Sequence, residues 1–256
     1  MKDMGATSPE LQKLFDRDGG KPTYVRNMFG RIARVYDLMN GVMTGGLDRR
    51  WRKFTAQQLA LKGSSRVLDI GTGTADLAIA VVKENGAETH VTGIDFTEEM
   101  LQVGRGKLQQ LGLQNNVELF TGDGENLQFA DASYNGVCSA FVMRNLTHLD
   151  RGISEQFRIL QPGARMVCLE ITHPPSPLLA GLFHLYFDRL IPVFGKLIGK
   201  SFESYNYLHQ SLAVFPSAPK LKQMMEDAGF VNVRYYYRTF GVVAVHVGEK
   251  PQSKTE

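Results

Sequence analysis

Short apolar runs alternate along this chain with segments whose apolar residues recur at helical spacing. The runs are rich in Val, Leu and Ile, which is typical of strands buried on both faces of a parallel sheet. They are Val67–Ile70, Thr89–Asp95, Val117–Thr121, Tyr134–Phe141 and Arg165–Ile171. Helical spacing appears between them, most clearly in Glu98–Leu111 and Leu149–Leu160. Strands that alternate with helices predict a doubly wound α/β sheet.

The pattern changes towards the end of the chain. Lys220–Ala228 has the spacing of a helix, and Gly229 is suited to end it. Phe230–Tyr237 and Gly241–Gly248 then alternate between apolar and polar residues, which predicts two antiparallel strands. The whole pattern predicts a Rossmann-like sheet of seven strands, mostly parallel with the last strand antiparallel, and helices on both faces.

The region before the first strand is less regular. Residues 1–23 are polar and predict a flexible arm. Residues 24–62 include Val25–Asn40, an amphipathic helix that either packs on the sheet or forms a lid over a ligand. Gly41–Leu47 is expected to be a hinge or loop. We expect residues 24–250 to form a single domain, followed by a tail at 251–256.

An apolar insert at residues 173–216 precedes the final pair of strands. Its charged residues, among them Asp188 and Arg189, argue against a membrane span, and Pro192 favours two short amphipathic helices. Such helices either pack against the sheet as core elements or cover an apolar pocket and contact a bilayer. Phe183 and Phe187 are the candidate contacts to an apolar ligand there.

Composition narrows the classes of protein that fit. The chain has 256 residues, 43% hydrophobic, which suffices for one large α/β domain. A net charge of +3 without a Lys/Arg block gives no reason to expect nucleic acid, while a weak attraction to an anionic membrane surface is allowed. Cys138 and Cys168 lie in apolar runs and indicate reduced core residues in a cytoplasmic protein. No cysteine or histidine spacing suggests a metal.

The segment Arg66–Ala78, RVLDIGTGTADLA, reads as a strand, a glycine turn and a helix. Gly71 and Gly73 form the turn, and Thr74 is expected to cap the helix. Ligands of doubly wound sheets bind at this carboxyl edge. A dinucleotide fingerprint would need a third glycine where Asp76 stands, and a carboxylate there repels a pyrophosphate but tolerates a cationic ligand.

Two further carboxylates follow the next two strands. Asp95 ends the second strand, where an acidic side chain accepts hydrogen bonds from the ribose hydroxyls of an adenosine. Asp123 follows the third strand, where it suits an adenine amino group. In this order, the acidic strand end, the glycine turn and these two residues resemble the S-adenosylmethionine (SAM) site of class I methyltransferases. A nicotinamide-dependent reductase is the nearest alternative enzyme, and Asp76 argues against it.

The chain resembles the ubiquinone/menaquinone biosynthesis C-methyltransferases from Val25 to Gly248. The resemblance implies SAM-dependent methylation of a ring carbon on a polyprenylated hydroquinone. Three motifs depart from the family pattern: Val142-Met143 replace Gly-Leu, Gly124 and Gln128 replace Ala and Pro, and Ala164 replaces Gly. The motifs that carry the resemblance are Met28–Asn40, Val67–Ala78, Gly122–Phe129, Arg144–Glu155, Glu203–Pro216 and Met224–Phe230.

The pattern and the resemblance together give three sets of site residues. The catalytic candidates are Arg144, which either stabilises a ring oxyanion or forms a structural ion pair, and Tyr205, with His148 and His209 ranked below them. Candidates on the substrate side are Tyr36, Asp37, Asn145, Tyr207, Phe183 and Phe187. Met100 lies either against the adenine or in the core. The cofactor set is Asp69, Gly71, Thr72, Gly73, Thr74, Asp95, Phe96, Met100, Asp123, Gly124 and Ala140.

The implied partners are a polyprenylated quinol and a membrane surface that the protein touches peripherally. The sequence leaves a homodimer open, and it leaves two other functions open. One is methylation of another lipid-like acceptor, such as a sterol or polyketide, which a substrate panel would distinguish. The other is a non-catalytic lipid-binding subunit, against which the complete cofactor set argues.

Overall fold

The computed structural model describes residues 12–13, 15–16, 19–176, 178, 181 and 202–252, and the side chains of 202–206 are left out of the account. A seven-stranded sheet has the order β3-β2-β1-β4-β5-β7-β6, and within it β7 runs antiparallel to both of its neighbours. This confirms the predicted fold class. The strands are β1 Ser65–Ile70, β2 Thr89–Asp95, β3 Val117–Thr121, β4 Tyr134–Ala140, β5 Leu160–Ile171, β6 Val231–Arg238 and β7 Val243–Glu249.

Strand β1 lies at the centre of the sheet. Val67 pairs with Val91 of β2 on one side and with Gly136 of β4 on the other. The strand order reverses between β1 and β4, and a crevice forms at such a switch point beyond the carboxyl ends of the strands. The turn after β1 therefore opens into the crevice where a ligand binds in this class of sheet.

Helices cover both faces of the sheet. Side chains alternate along β1, so Val67 joins the core under α3 and α4, while Leu68 joins the core under α6 and α8. The helices are α1 Lys21–Ile32, α2 Tyr36–Thr44, α3 Leu47–Gln58, α4 Asp76–Asn85, α5 Glu98–Leu111, α6 Leu149–Ile159, α7 Phe202–Val214 and α8 Ala218–Asp227.

The N-terminal helices differ from the single helix predicted at Val25–Asn40. A 3₁₀ turn at Ala33–Val35 separates α1 from α2, and α2 continues to Thr44 through the predicted loop. The chain turns only at Gly45 and Gly46, which both have positive φ. Met39 of α2 packs with Leu212 of α7, so tertiary contacts hold this helix in place.

Two further boundaries differ from the prediction. Phe15, inside the segment expected to be a flexible arm, is buried, and its ring lies 5.5 Å from that of Tyr24. Strand β5 begins at Leu160, ahead of the predicted start at Arg165, and Pro162 and Gly163 lie where the register between β4 and β5 shifts. Most of the insert, including Phe183 and Phe187, is outside the described residues.

The turn after β1 leaves no room for a side chain at Gly71. Its φ is +63°, and a Cβ there would lie 2.6 Å from the Cβ of Val142. Gly63 has nearly the same φ, +60°, but nothing within 4 Å of the equivalent position. Comparing alanine substitutions at these two glycines therefore separates the cost of the backbone conformation, which both share, from the cost of the clash with Val142, which only Gly71 has.

We expect Gly71→Ala to lower the free energy of unfolding by about 1–3 kcal/mol more than Gly63→Ala, because overpacking adds to the strain that both variants share. Urea unfolding of both variants measures the difference. Adding Val142→Ala to Gly71→Ala should recover part of the loss. Equal losses for the two alanine variants would show that the core absorbs the clash.

Candidate active site

A cleft opens at the carboxyl ends of β1 and β4. Seven of the predicted site residues line it, and Arg52, Asp76 and Leu77 complete the lining. The seven are Tyr36, Asp69, Gly71, Thr72, Gly73, Thr74 and Ala140. Strand register and the glycine turn thus bring together residues that are spread over more than a hundred positions of the chain.

Asp95 holds the glycine turn in place. Its Oδ2 accepts a hydrogen bond from the backbone N–H of Gly73 at 3.0 Å, and its Oδ1 accepts one from Thr97 N at 2.8 Å. The carboxylate is 9% exposed. Each carboxylate oxygen can accept a second hydrogen bond, so these contacts are compatible with the predicted contact to ribose hydroxyls.

Asp69 lies buried at the base of the cleft. Thr72 Oγ1 donates a hydrogen bond to its Oδ2 at 2.7 Å, and the Cys138 thiol lies 3.8 Å from its Oδ1. Burial raises the pKa of Asp69 to about 7, although nearby Arg52 opposes the shift. Burial also raises the pKa of Asp95. A cationic ligand would stabilise the charged form of both carboxylates, so the site fits the sulfonium group of SAM.

Helix α2 is tied to the glycine turn by a polar network. Thr74 Oγ1 donates to Asp37 Oδ1 at 2.6 Å, and Lys107 Nζ donates to Asp37 Oδ2 at 2.8 Å. Lys107 also pairs with Asp76. The prediction that Thr74 caps a helix is wrong: α4 begins at Asp76 after Ala75 at φ +67°, and the Thr74 hydroxyl bonds α2 instead.

Asp37, predicted to lie on the substrate side, pairs with Lys107. Sequence reasoning missed Lys107, because a lysine in a polar helix looks like an ordinary surface residue. The sequence also did not indicate that Arg52 lines the cleft. Its position in α3 places its guanidinium carbon 5.5 Å from the centre of the Phe141 ring.

The residues predicted for the adenine end lie beside the turn. Met100 is 3% exposed, and its Cε would lie 3.2 Å from a Cβ at Gly73. Phe96 is half-buried and packs in an aromatic cluster under the lid. Asp123 is exposed and accepts a hydrogen bond from a backbone N–H two residues later, while Gly124 packs closely on the end of β1. Both interpretations of Met100 stay open.

Arg144 forms a buried ion pair after β4. Its Nη1 lies 2.8 Å from Oε2 of Glu170, and the two side chains are 8% and 1% exposed. Glu170 Oε1 accepts a second hydrogen bond from Met143 N. Burial raises the pKa of Glu170 although Arg144 opposes the shift. The buried Nε–H of Arg144 has no partner in the described part of the chain. The sequence signal for Glu170 was a single carboxylate in the apolar run RMVCLEI.

The loop after β4 is held from two sides. Lys21 Nζ donates to the carbonyl oxygens of Arg144 and Leu146 at 3.2 and 2.6 Å, and burial lowers the pKa of Lys21 to about 8. From the other side, Glu125 accepts hydrogen bonds from the backbone N–H groups of Thr147 and His148. The N-terminal helices therefore contact both the predicted cofactor turn and the predicted catalytic loop.

The remaining substrate-side residues divide into two groups. Tyr207 is buried and donates a hydrogen bond to Asn145 Oδ1 at 3.0 Å, and burial raises the pKa of its hydroxyl. Tyr205 lies on α7, and His209 is exposed on the same helix. Phe183 and Phe187 lie outside the described residues.

Val142 and Met143, which depart from the family pattern, are core residues. Val142 is 7% exposed and Met143 is 1% exposed. Val142 fills the space that a side chain at Gly71 would need, and Met143 packs among apolar residues under α6. These substitutions therefore change the packing behind the loop, and they do not replace groups that face the cleft.

The strand order, the glycine turn after β1 and the carboxylate at the end of β2 define a class I SAM-dependent methyltransferase. A solved SAM dependent methyltransferase from Aquifex aeolicus has this fold, with a TM-score of 0.55 at 18% identity, covering 77% of this chain and 88% of that one. The chain belongs to the ubiE/COQ5 methyltransferase family, whose profile matches residues 17–250. SAM is its cofactor.

Two relatives match nearly the whole chain. The ubiquinone/menaquinone biosynthesis C-methyltransferase UbiE of Pseudomonas putida (strain W619) is 40% identical over 231 residues, which are 90% of each protein. A demethylmenaquinone methyltransferase from Staphylococcus haemolyticus (strain JCSC1435) is 39% identical over 239 residues, covering 93% of this chain and 99% of that one.

The ion pair between Arg144 and Glu170 gives a prediction about stability. We expect Glu170→Ala to lower the free energy of unfolding by about 3–5 kcal/mol, because it leaves a buried guanidinium unpaired. The double variant Arg144→Met/Glu170→Met should lose less, since it leaves no buried charge. Glu98→Ala, which removes the exposed partner of Arg105, is the matched control and should leave stability nearly unchanged.

Chemical denaturation of the three variants tests the assignment. A loss for Glu170→Ala no greater than for Glu98→Ala would show that Arg144 finds water or another partner, and that the pair is not an essential part of the loop.

Proposed function

We propose that this protein methylates a ring carbon of a polyprenylated hydroquinone, in a reaction of the demethylmenaquinol to menaquinol type. The observation that carries the proposal is that the family profile spans residues 17–250, which include every described residue of the cleft. Relatives named for quinone methylation match at about the same length and at 39–40% identity.

The cofactor end of the proposed site is built on β1 and β2. We place the ribose at Asp95, the adenine near Met100 and Asp123, and the cationic end near Asp69. The first of these is supported by the free acceptor positions of Asp95, and the last by the raised pKa of Asp69. When bound, SAM supplies an electrophilic methyl group. The glycine turn contributes a backbone that approaches the ligand closely because no side chain intervenes.

The substrate end must activate a ring carbon, which is a poor nucleophile. A ring oxygen that loses its proton donates electron density to the neighbouring carbon, so the protein has to stabilise that negative charge. Arg144 is our candidate, acting directly or through an ordered water. Its Nη1 is bound to Glu170, and its Nε–H has no partner among the residues that the structure describes and is available as a donor.

Proton transfer and positioning fall to residues on the lid and on α7. Tyr205 is the candidate for relaying the ring proton, with Asn145 and Tyr207 as an orienting pair. Tyr36 reaches the cleft from α2, and Asp37 holds that helix to the turn. We propose that these contacts keep the ring and the methyl donor in register.

We propose that the insert at 173–216 binds the prenyl tail, with Phe183 and Phe187 among its contacts, and that the cytoplasmic protein touches the membrane peripherally. In the described part of the chain, no helix combines the length and the apolar character needed to span a bilayer. Each methylene of a tail that is removed from water contributes about 0.8 kcal/mol, so even a short buried part of the tail affects KM.

The raised pKa of Asp69 predicts pH-dependent cofactor binding. Below its pKa of about 7 the carboxyl is mostly protonated and cannot compensate a cation. If only the ionised form binds well, SAM affinity should rise by up to about tenfold from pH 6 to pH 8. Calorimetric titration across this range measures the dependence.

The Asp69→Asn variant is the control for this titration. It retains the titration of SAM itself but has no carboxyl, so its profile is the baseline to subtract. A wild-type profile that matches this baseline would show that Asp69 does not ionise on binding, and that the cationic end lies elsewhere.

The function is tested with reduced demethylmenaquinol, a demethylated benzoquinol with a prenyl tail, and a sterol as acceptors. Mass spectrometry should show a quinol product heavier by one methylene unit. The Arg144→Met/Glu170→Met variant should bind SAM like the wild type but turn over at least about 10²-fold more slowly, because the developing charge is not stabilised.

Two failures have different meanings. If the wild type binds SAM but methylates none of the quinols, the proposed substrate class is wrong. If the double variant methylates at the wild-type rate, the substrate class stands, and another group stabilises the ring oxygen.

A further inference from the structure

The outer side of the N-terminal helices presents an unusual pair of exposed side chains. Leu38 is 59% exposed and Val42 is 39% exposed, one turn apart on α2. The inner side of the same helix is already occupied, since Met39 is buried against Leu212. Leu38 and Val42 are therefore not needed for packing within the described part of the chain.

Exposed cations flank this pair along the chain. From residue 22 to residue 53, every exposed charged side chain is basic: Arg26, Arg31, Arg34, Arg49, Arg50 and Lys53. The two acidic residues of this stretch, Asp37 and Asp48, are bound to Lys107 and to Arg52. We call the surface formed by these six cations, Leu38 and Val42 the outer lid face.

Most of this positive charge is uncompensated. Lys53 pairs with Glu84 and Arg31 has a contact of its own, but no ion pair within the described residues involves Arg26, Arg34, Arg49 or Arg50. One acidic side chain that contacts α1 is Glu99, whose carboxylate would lie 3.3 Å from a Cβ at Gly30. The chain as a whole carries a net charge of only +3, so the outer lid face concentrates positive charge.

We propose that the outer lid face docks on an anionic lipid bilayer, with Leu38 and Val42 entering the headgroup region and the arginines facing lipid phosphates. This inference rests on the proposed function, because a polyprenylated substrate resides in the bilayer. Helices that lie in a membrane interface have this character, with apolar side chains between basic ones.

Two other occupants fit this surface less well. A second copy of the chain would bring like charges together across a symmetric interface, which is unfavourable. Nucleic acid would match the arginines but leave Leu38 and Val42 without apolar contacts. A bilayer satisfies both parts of the surface at once.

The position of the outer lid face relative to the cleft gives the docking a consequence. The same helix, α2, carries Tyr36 into the cleft and bonds the glycine turn through Asp37. Docking through Leu38 and Val42 therefore places the cleft next to the bilayer surface. A substrate whose tail is anchored in the bilayer would then reach the cleft by moving only its ring out of the membrane.

The test is co-sedimentation of the full chain with vesicles of phosphatidylcholine alone or mixed with phosphatidylglycerol. The wild type should bind the anionic vesicles preferentially and release them at high salt. Arg34→Glu/Arg49→Glu should reduce the vesicle partition coefficient by about tenfold or more. The matched control is Lys62→Glu/Lys83→Glu, which makes the same change in net charge at exposed positions outside the outer lid face.

A second pair of variants tests the apolar part. Leu38→Gln/Val42→Gln should weaken vesicle binding, whereas Leu111→Gln, at a residue that is 48% exposed at the end of α5, should not. Equal effects of each variant and its control would overturn the proposal, because binding would then follow bulk charge or another segment. A wild type that binds neither vesicle would also overturn it.

Two measurements separate this proposal from its alternatives. Methylation of a detergent-solubilised polyprenylated quinol should be unchanged in the Leu38→Gln/Val42→Gln and Arg34→Glu/Arg49→Glu variants, and absence of that activity in the wild type would refute the proposed function instead. Sedimentation velocity without vesicles should show no self-association that these substitutions remove; a dimer lost in Leu38→Gln/Val42→Gln would identify a protein interface and overturn bilayer docking.

Discussion

The hydrogen bond from Gly73 to Asp95 is the constraint on which the rest of the site depends. It joins the turn after β1 to the end of β2, and it orients the carboxylate that we assign to the ribose. Behind the turn, Val142 fills the space beside Gly71, so the loop after β4 fixes the same backbone from the other side. Three strand ends are thereby held in one arrangement before any ligand binds, which lowers the cost of ordering the site.

Buried carboxylates give this edge of the sheet its electrostatic character. Asp69 and Asp95 have raised pKa values because burial disfavours their charge, and a cationic cofactor would reverse that penalty. Burial raises the pKa of Glu170 as well, but this carboxylate already has a counterion in Arg144. At this edge of the sheet, Asp69 and Asp95 lack a full counterion, whereas Glu170 has one. This difference distinguishes the proposed cofactor side of the site from the proposed catalytic side.

The N-terminal helices connect these parts. Through Asp37 they reach the glycine turn and Lys107, and through Lys21 they reach the loop that carries Arg144. Their inner residues pack on α7, which forms the C-terminal part of the insert. Movement of these helices would therefore affect cofactor contacts and the catalytic loop together, so the lid has a place in both halves of the proposed reaction.

The sequence by itself determined the order of helices and strands, the seven-stranded sheet, the glycine turn and the family, because strand burial, helical spacing and motif identity are local properties of the chain. Only the tertiary structure decided that Thr74 bonds Asp37 rather than capping α4, that Arg144 pairs with Glu170, and that Val142 and Met143 are buried. The partners in the two polar contacts lie 37 and 26 positions apart in the chain. No short-range pattern encodes such pairs, since they depend on which strand ends and helices meet once the sheet has formed.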